Sequence, residues 1–308
     1  MPTLALTGAT GFVGRAVLEQ LLGDGHPVRA LARPSRPLPE HRQLVRIPGT
    51  LEDAGQLAEL VRSCDAVIHI AGAISGRDYA DFAHTNVTGT SRLVDAIREH
   101  SPGARLIHVS SLAAREPQLS DYAASKRAGE QIITSSGLKW SILRPPAVYG
   151  PADPALAPFW RLLAHGWLAG IGTKSGRFSL LHVTDLASAI NRLVKRDHPD
   201  SWLACLHDGK PGGYNWRELA ELAREVRGKS IRIVPVPQWL LKTVATMNLQ
   251  GARLRKVRPP ALVPGKVREL AHPDWVCDNT QLPGCPDWKP TMQLKNCLTD
   301  LPGWSRFR

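Results

Sequence analysis

No two cysteines of this 308-residue chain stand in a Cys-x-x-Cys pair. The five present, Cys64, Cys205, Cys277, Cys285 and Cys297, are scattered, odd in number and without paired histidines nearby. They read as reduced thiols, and no metal site is expected. There is no run of about eighteen apolar residues, which argues against a spanning helix. Internal repeats and low-complexity tracts are also missing. Acidic residues are in deficit, 27 against 39 lysines and arginines, for a formal charge of +12. Such a field favours nucleic acid, anionic lipid or acidic ligands without choosing among them. No nucleic-acid recognition motif accompanies it, so no nucleic-acid partner is expected. The first strand-like run begins almost at Met1, leaving no room for a secretory leader, and a cytoplasmic location is expected.

Part of the positive excess is local. Arg253, Arg255, Lys256, Arg258, Lys266 and Arg268 follow the apolar stretch from Trp239 to Met247. The first reading is a packed helix followed by a solvated basic loop. Contact of residues 239–268 with a membrane surface is the alternative.

What is present begins at the N-terminus. The apolar run Leu4-Ala-Leu-Thr7 leads directly into Gly8, Gly11 and Gly14, and a helical pattern follows from Arg15 to Leu22. Gly8 suits a tight strand-to-helix turn, Gly11 lets backbone approach a pyrophosphate, and Gly14 lets the helix pack on the sheet. The helix N-terminus then faces the anion. Further strand-like runs at 27–32, 66–71, 105–110 and 139–144 alternate with helical segments, which predicts a doubly wound parallel α/β sheet of Rossmann type. His69 and His108, inside two of these runs, read as core groups.

After Gly150 the alternation breaks down, and eight of the nine tryptophans lie from Trp160 onward. A nucleotide-binding core over 1–149, completed by about 177–209, is expected beside a smaller substrate lobe formed by 150–176 and 210–308. One amphipathic helix in that lobe is clear, with Asn215 as N-cap and Gly228 as its stop.

The second strand ends in Arg33-Pro-Ser-Arg36, where an NAD-binding fold usually offers a carboxylate to the adenosine ribose. Two guanidiniums suit a ribose phosphate, so NADP(H) is preferred over NAD(H). Tyr122 and Lys126 stand four residues apart, one helical turn on a common face. A phenol has a pKa near 10, and an adjacent ammonium together with an oxidised nicotinamide favours the phenolate. A shift of about 3 units represents roughly 4 kcal/mol. Upstream, Ser110 and Ser111 emerge at the carboxyl end of a parallel strand, where ligands bind in such sheets.

Together with Asp65-x-x-x-His69-x-Ala71-Gly72-Ala73, Asn86-Val-Thr-Gly-Thr90, Arg144-Pro-Pro-Ala-Val-Tyr-Gly-Pro151 and His182-Val-Thr-Asp185, these motifs occur in one order along nearly the whole chain. In this the chain resembles an extended or atypical short-chain dehydrogenase/reductase of the epimerase/dehydratase superfamily. The resemblance implies that Tyr122 is the general acid/base, that Lys126 holds the nicotinamide ribose, that Ser111 orients the substrate oxygen and that Asn86 supports the lysine. It also implies a cofactor cleft lined by Ala71, Gly72 and Ala73, with Pro145 and Val148 near the nicotinamide. Thr10, Phe12, Val13, Leu51 and Ser110 complete the cofactor set, Asp185 is structural, and the expected assembly is a homodimer.

Two departures narrow the reading. Sugar-nucleotide dehydratases of the family carry an acidic pair after the catalytic hydroxyl, whereas here Leu112-Ala113-Ala114 follows. The basic end of the second strand resembles reductases of ketones, flavonoids and sterols, and the tryptophans of the second lobe suit an apolar substrate. The reading is therefore hydride transfer between NADP(H) and the carbonyl or secondary alcohol of an apolar small molecule. An NAD-dependent nucleotide-sugar epimerase and a non-catalytic nucleotide-binding scaffold are the alternatives.

Overall fold

The computed structural model describes every residue except 174, 196–198, 258, 260, 278–280 and 308. Arg258, part of the basic group noted above, lies outside the described residues. In chain order the first half contains β1 (Leu4–Thr7), α1 (Phe12–Gly23), β2 (Val28–Ala32), β3 (Leu44–Pro48), α2 (Ala54–Val61), β4 (Ala66–His69), α3 (Tyr79–Ala83), α4 (Thr90–His100), β5 (Arg105–Val109), α5 (Asp121–Thr134), β6 (Trp140–Arg144) and β7 (Ala147–Tyr149). The second half contains α6 (Ala157–Ala164), β8 (Trp167–Gly170), β9 (Arg177–Phe178), β10 (Leu180–His182), α7 (Val183–Lys195), β11 (Ser201–Cys205), α8 (Trp216–Arg227), β12 (Arg232–Pro235), α9 (Gln238–Arg255), α10 (Pro264–Ala271), β13 (Asp274–Trp275) and α11 (Leu294–Cys297).

Seven strands form one sheet in the order β11-β6-β5-β4-β1-β2-β3, every neighbour parallel. The order reverses between β1 and β4, and the crevice beyond the carboxyl ends of those two strands is where such sheets take ligands. β1 and β4 are buried at every position, as strands covered on both faces must be. One apolar cluster joins α1 and α7 to one face of the sheet, with Val17, Leu21, Leu186 and Ile190 fully buried. A second joins α2 and α4 to the other face through Leu57, Leu60, Leu93 and Ile97.

Both edge strands, β3 and β11, escape the sequence reading. β3 buries only Ile47 completely, so it carries no continuous apolar run. A third cluster gathers Tyr149, Trp160, Leu163, Tyr214, Leu219 and Trp304 among the C-terminal elements. Trp160 and Trp304 are thus core-filling residues, the more usual role of a tryptophan, and do not line a cleft. α8 starts and stops where the sequence places it. The Asn215 Oδ1 accepts the Glu218 amide at 2.9 Å, and Gly228 takes a left-handed φ of 68°.

Asp185 bridges α7 to the C-terminal segment, accepting from the Thr291 amide at 3.0 Å, the Thr291 hydroxyl at 2.9 Å and the Met292 amide at 2.9 Å. That is the structural part expected of it. α9 departs from the packed helix anticipated above, because only Ala245 and Ala252 are buried along it. Arg253 and Arg255 belong to the helix and not to a following loop.

Candidate active site

The turn between β1 and α1 is shaped by what its glycines leave out. Gly8 has φ +79°, and a Cβ on it would sit 2.6 Å from the Ala71 nitrogen. A Cβ on Gly14 would lie 2.0 Å from the Gly8 carbonyl oxygen, so α1 sits this close to the strand only without a side chain there. Around Gly11 the only contact is the Gly8 oxygen at 3.3 Å, leaving space that a Cβ would enter. Gly11 caps α1 without a side chain, and the first turn holds no acidic residue. The amides of Phe12, Val13 and Gly14 therefore open a helix terminus suited to an anion. The Phe12 ring packs toward Gly150, and Thr10 is partly buried beside the turn.

At the end of β2, Arg33 and Arg36 are exposed, joined by a turn from the Arg36 amide to the Arg33 carbonyl at 2.9 Å. A third guanidinium, missed by the sequence reading, comes from β3. Arg46 donates to the carbonyls of Arg33 and Pro34, each at 2.9 Å, and braces the segment that carries the other two. No local signal marks Arg46, since only the pairing of β2 with β3 brings it there. Leu51 packs against Gly89, whose Cβ position lies 2.7 Å from the leucine Cδ1.

Asn86 sits in a π-helical turn, His84–Gly89, between α3 and α4. Its side chain is almost fully buried, and it tethers the segment after β4 to α5. Oδ1 accepts the Ala73 amide at 2.8 Å, while Nδ2 donates to the Ala73 carbonyl at 3.0 Å and to Ser125 Oγ at 2.9 Å. These bonds position Ala73, and the Ala71 amide is held by the Thr7 hydroxyl at 3.3 Å. Direct support of Lys126 by Asn86 is not among these bonds.

Ser120 caps α5 by accepting the Ala123 amide at 3.0 Å, which sets Tyr122 and Lys126 on the first two turns. The Lys126 ammonium is buried and donates to the Val109 carbonyl at 3.0 Å. Ser111, near enough to the Tyr122 phenol to favour its ionised form, accepts the Ala113 amide on its Oγ at 3.2 Å. Phe82 meets the Tyr122 ring edge-on at 6.0 Å, an aromatic neighbour that sequence spacing gives no means of finding. Pro145 presents its carbonyl to the Leu112 amide at 2.8 Å, and Val148 is half-buried on β7 against the core.

Burial dominates the electrostatics of the pair. Burial pushes Tyr122 up to about 12, partly offset by the Ser111 hydrogen bond, and pushes Lys126 down to about 8. Desolvation disfavours the charged form of both groups, and the sequence expectation of a lowered phenol concerns the pair with oxidised nicotinamide beside it. Behind them, His69 and His108 lie with ring centroids 5.0 Å apart. Burial drives His69 down to about 3 and His108 well below its usual value, so both are neutral. His69 is satisfied by the Thr7 and Thr90 hydroxyls at 2.7 and 3.0 Å, as a core histidine should be.

Ser110 is held from behind by α5. Its hydroxyl turns away from the cleft and donates to buried Glu130, which also holds Arg144 through Nε at 2.8 Å and a second guanidinium nitrogen at 2.5 Å. Only the backbone of Ser110 is left to face a cofactor.

The glycine turn, the uncapped helix terminus and the guanidiniums suit a dinucleotide with its pyrophosphate over Gly11. The model of the "NAD dependent epimerase/dehydratase family" matches residues 4–205. The chain is 35% identical over 274 residues to a ceramide reductase of Caulobacter vibrioides, spanning 88% of this chain and 85% of the relative. It is 28% identical to the 4-hydroxy-2-methyl-3-oxo-4-farnesyl-3,4-dihydroquinoline-1-oxide ketoreductase of Stigmatella aurantiaca, over 83% of both chains. In fold it is similar to the UDP-glucose 4-epimerase of Thermotoga maritima, with TM-score 0.70 and 19% identity over 99% of this chain and 98% of the other. With its site geometry and these matches, the chain belongs to the NAD-dependent epimerase/dehydratase family, as an NAD(P)-dependent oxidoreductase.

Proposed function

We propose that the protein reduces a carbonyl group of a long apolar molecule with NADPH, Tyr122 delivering the proton. The observation that carries this reading is Tyr122 one helical turn from the buried Lys126 ammonium on α5, with Ser111 at the end of β5 near the phenol and Leu112, Ala113 and Ala114 buried in the adjoining turn where a carboxylate would be needed to expel a hydroxyl. Reduced nicotinamide supplies the hydride when bound. Tyr122 stays protonated at neutral pH and is the acid for the carbonyl oxygen. Ser111 donates to the same oxygen as negative charge develops on it. Lys126 holds a positive charge below about pH 8 and stabilises the phenolate left behind.

Arg33 and Arg36, on the segment braced by Arg46, favour the 2′-phosphate of NADPH, and β2 offers no carboxylate to a ribose diol. Two features support an apolar substrate. Phe82 packs on the Tyr122 ring and the buried Leu112–Ala114 turn directly follows Ser111, and the two relatives named above are a ceramide reductase and a ketoreductase of a farnesyl-bearing quinoline oxide.

Calorimetric titration of wild type and Arg33→Ala with NADPH and NADH tests the cofactor assignment. Loss of one charged hydrogen bond predicts a roughly 10- to 100-fold weaker NADPH affinity with NADH unchanged. Assay of NADPH oxidation with long-chain 3-oxo compounds then tests the reaction. Tightly retained NAD that is indifferent to Arg33 would overturn this reading in favour of epimerisation.

A further inference from the structure

α9 exposes an apolar face that the fold does not use. Trp239 is 68% exposed, Met247 69% and Leu254 85%, with Leu240 and Val244 also exposed. At 3.6 residues per turn these five fall within an arc of about 140°. The buried Ala245 and Ala252 lie on a different side, toward α10. β12, which precedes α9 in the chain, is exposed at every position.

The charge around this face has one sign. From Lys229 to Arg268 the chain contains nine lysines and arginines and no aspartate or glutamate. Among them Lys242, Arg255 and Lys256 are exposed on or just after α9. A second copy of the chain docking here would bring like charges together, which is unfavourable for self-association. A surface offering anionic groups over an apolar interior complements both features, and basic amphipathic helices bind in that interface.

We propose that α9 docks the protein on an anionic lipid bilayer, Trp239, Met247 and Leu254 entering the acyl boundary and the flanking basic residues meeting the headgroups. Among the described residues no helix is long and apolar enough to cross a membrane, so the attachment is peripheral. The face lies beside the active site. Arg253 donates to the Arg77 carbonyl at 3.3 Å, in the loop that follows Ala73. α10, packed on α9, sends Glu269 to the hydroxyl of Ser120, the cap of the Tyr122 helix. Docking therefore turns the edge of the cleft toward the bilayer. Delivery of an apolar substrate from the membrane rests on the reaction proposed above, whereas docking itself does not.

Flotation of the full chain with phosphatidylcholine vesicles, with and without phosphatidylglycerol, tests the proposal independently of activity. Binding is expected only to the anionic vesicles and to fall as salt is raised. Trp239→Ser with Met247→Ser, and separately Lys242→Glu with Arg255→Glu, should each weaken it about ten-fold or more. All four side chains are exposed, so the variants should fold, which circular dichroism checks. Absence of flotation on either vesicle would overturn the proposal, as would binding that both double variants leave unchanged. A wild-type dimer that Met247→Glu dissolves, with no vesicle binding, would assign the face to a second copy.

Discussion

Tyr122→Phe removes one hydroxyl and keeps the ring that packs on Phe82. A general acid contributes about 10²- to 10⁴-fold to such a reaction. Turnover should fall by that amount, while NADPH affinity from titration stays within about three-fold. Lys126→Met separates two effects of one charge. Folding places the ammonium where its pKa is about 8, below the ordinary 10.5, so the unfolded chain binds more protons between those values. Wild-type stability should therefore rise as pH increases from about 8 to 10.5, by up to about 3 kcal/mol from this group. In Lys126→Met, denaturant melts should lack that rise and show equal or greater stability at pH 7, although turnover collapses. A parallel pH profile in the two proteins would refute the assignment. The Tyr-x-x-x-Lys spacing was legible because a helical turn is local. The direction of the tyrosine shift was not, since it depends on groups from α3, β5 and α10 that bury the pair.

At the scale of elements, the glycine turn and the pair beneath β5 carry opposite lessons. Gly14→Ala places a methyl 2.0 Å from the Gly8 oxygen, so α1 must move off β1. The expected outcome is NADPH binding weakened beyond detection by titration, together with a lower melting temperature. Nothing but the order of residues is needed to foresee this, because turn and helix are contiguous. Glu130 and Arg144 come from α5 and β6, both buried and joined by two hydrogen bonds with Ser110. Arg144→Met leaves buried Glu130 with the Ser110 hydroxyl and only the longer 3.4 Å contact to Arg127 as its cationic partner, and should destabilise the fold by up to about 3–5 kcal/mol in urea melts. A loss below about 1 kcal/mol would show that the carboxylate finds water or a proton instead. Arg144 belongs to a motif legible in the sequence, whereas Glu130 carries no signal there, because only the packing of α5 on the sheet brings the two together. β3 and β11 were missed for a related reason: edge strands are paired on one side and need no continuous apolar run.

Over the whole molecule, buried neutral histidines set the response to acid. His69 and His108 have folded pKa values below 6.5, so the unfolded chain takes up more protons as pH falls. Stability should decline from about pH 6.5 downward, toward about pH 3 for His69, with a slope near 1.4 kcal/mol per pH unit for each histidine that is neutral when folded and charged when unfolded. His108→Phe should flatten that decline in melts between pH 4 and 7, an expectation that an unaltered slope would sink. A phosphate loop, a parallel sheet, a Tyr–Lys turn and a basic second-strand end could be read from residue order, because each is a short-range pattern with a steric or electrostatic cause. Packing settled which of those residues face the cleft. Ser110 turned inward because a buried carboxylate needed a donor, and Arg46 reached Arg33 only through strand pairing. The apolar residues from Trp239 to Met247 that read as a packed helix include Trp239, Leu240, Val244 and Met247, which remain exposed, because among the described residues no element covers that face of α9. Periodicity reports which side of a helix is apolar, and the surrounding chain decides what meets it.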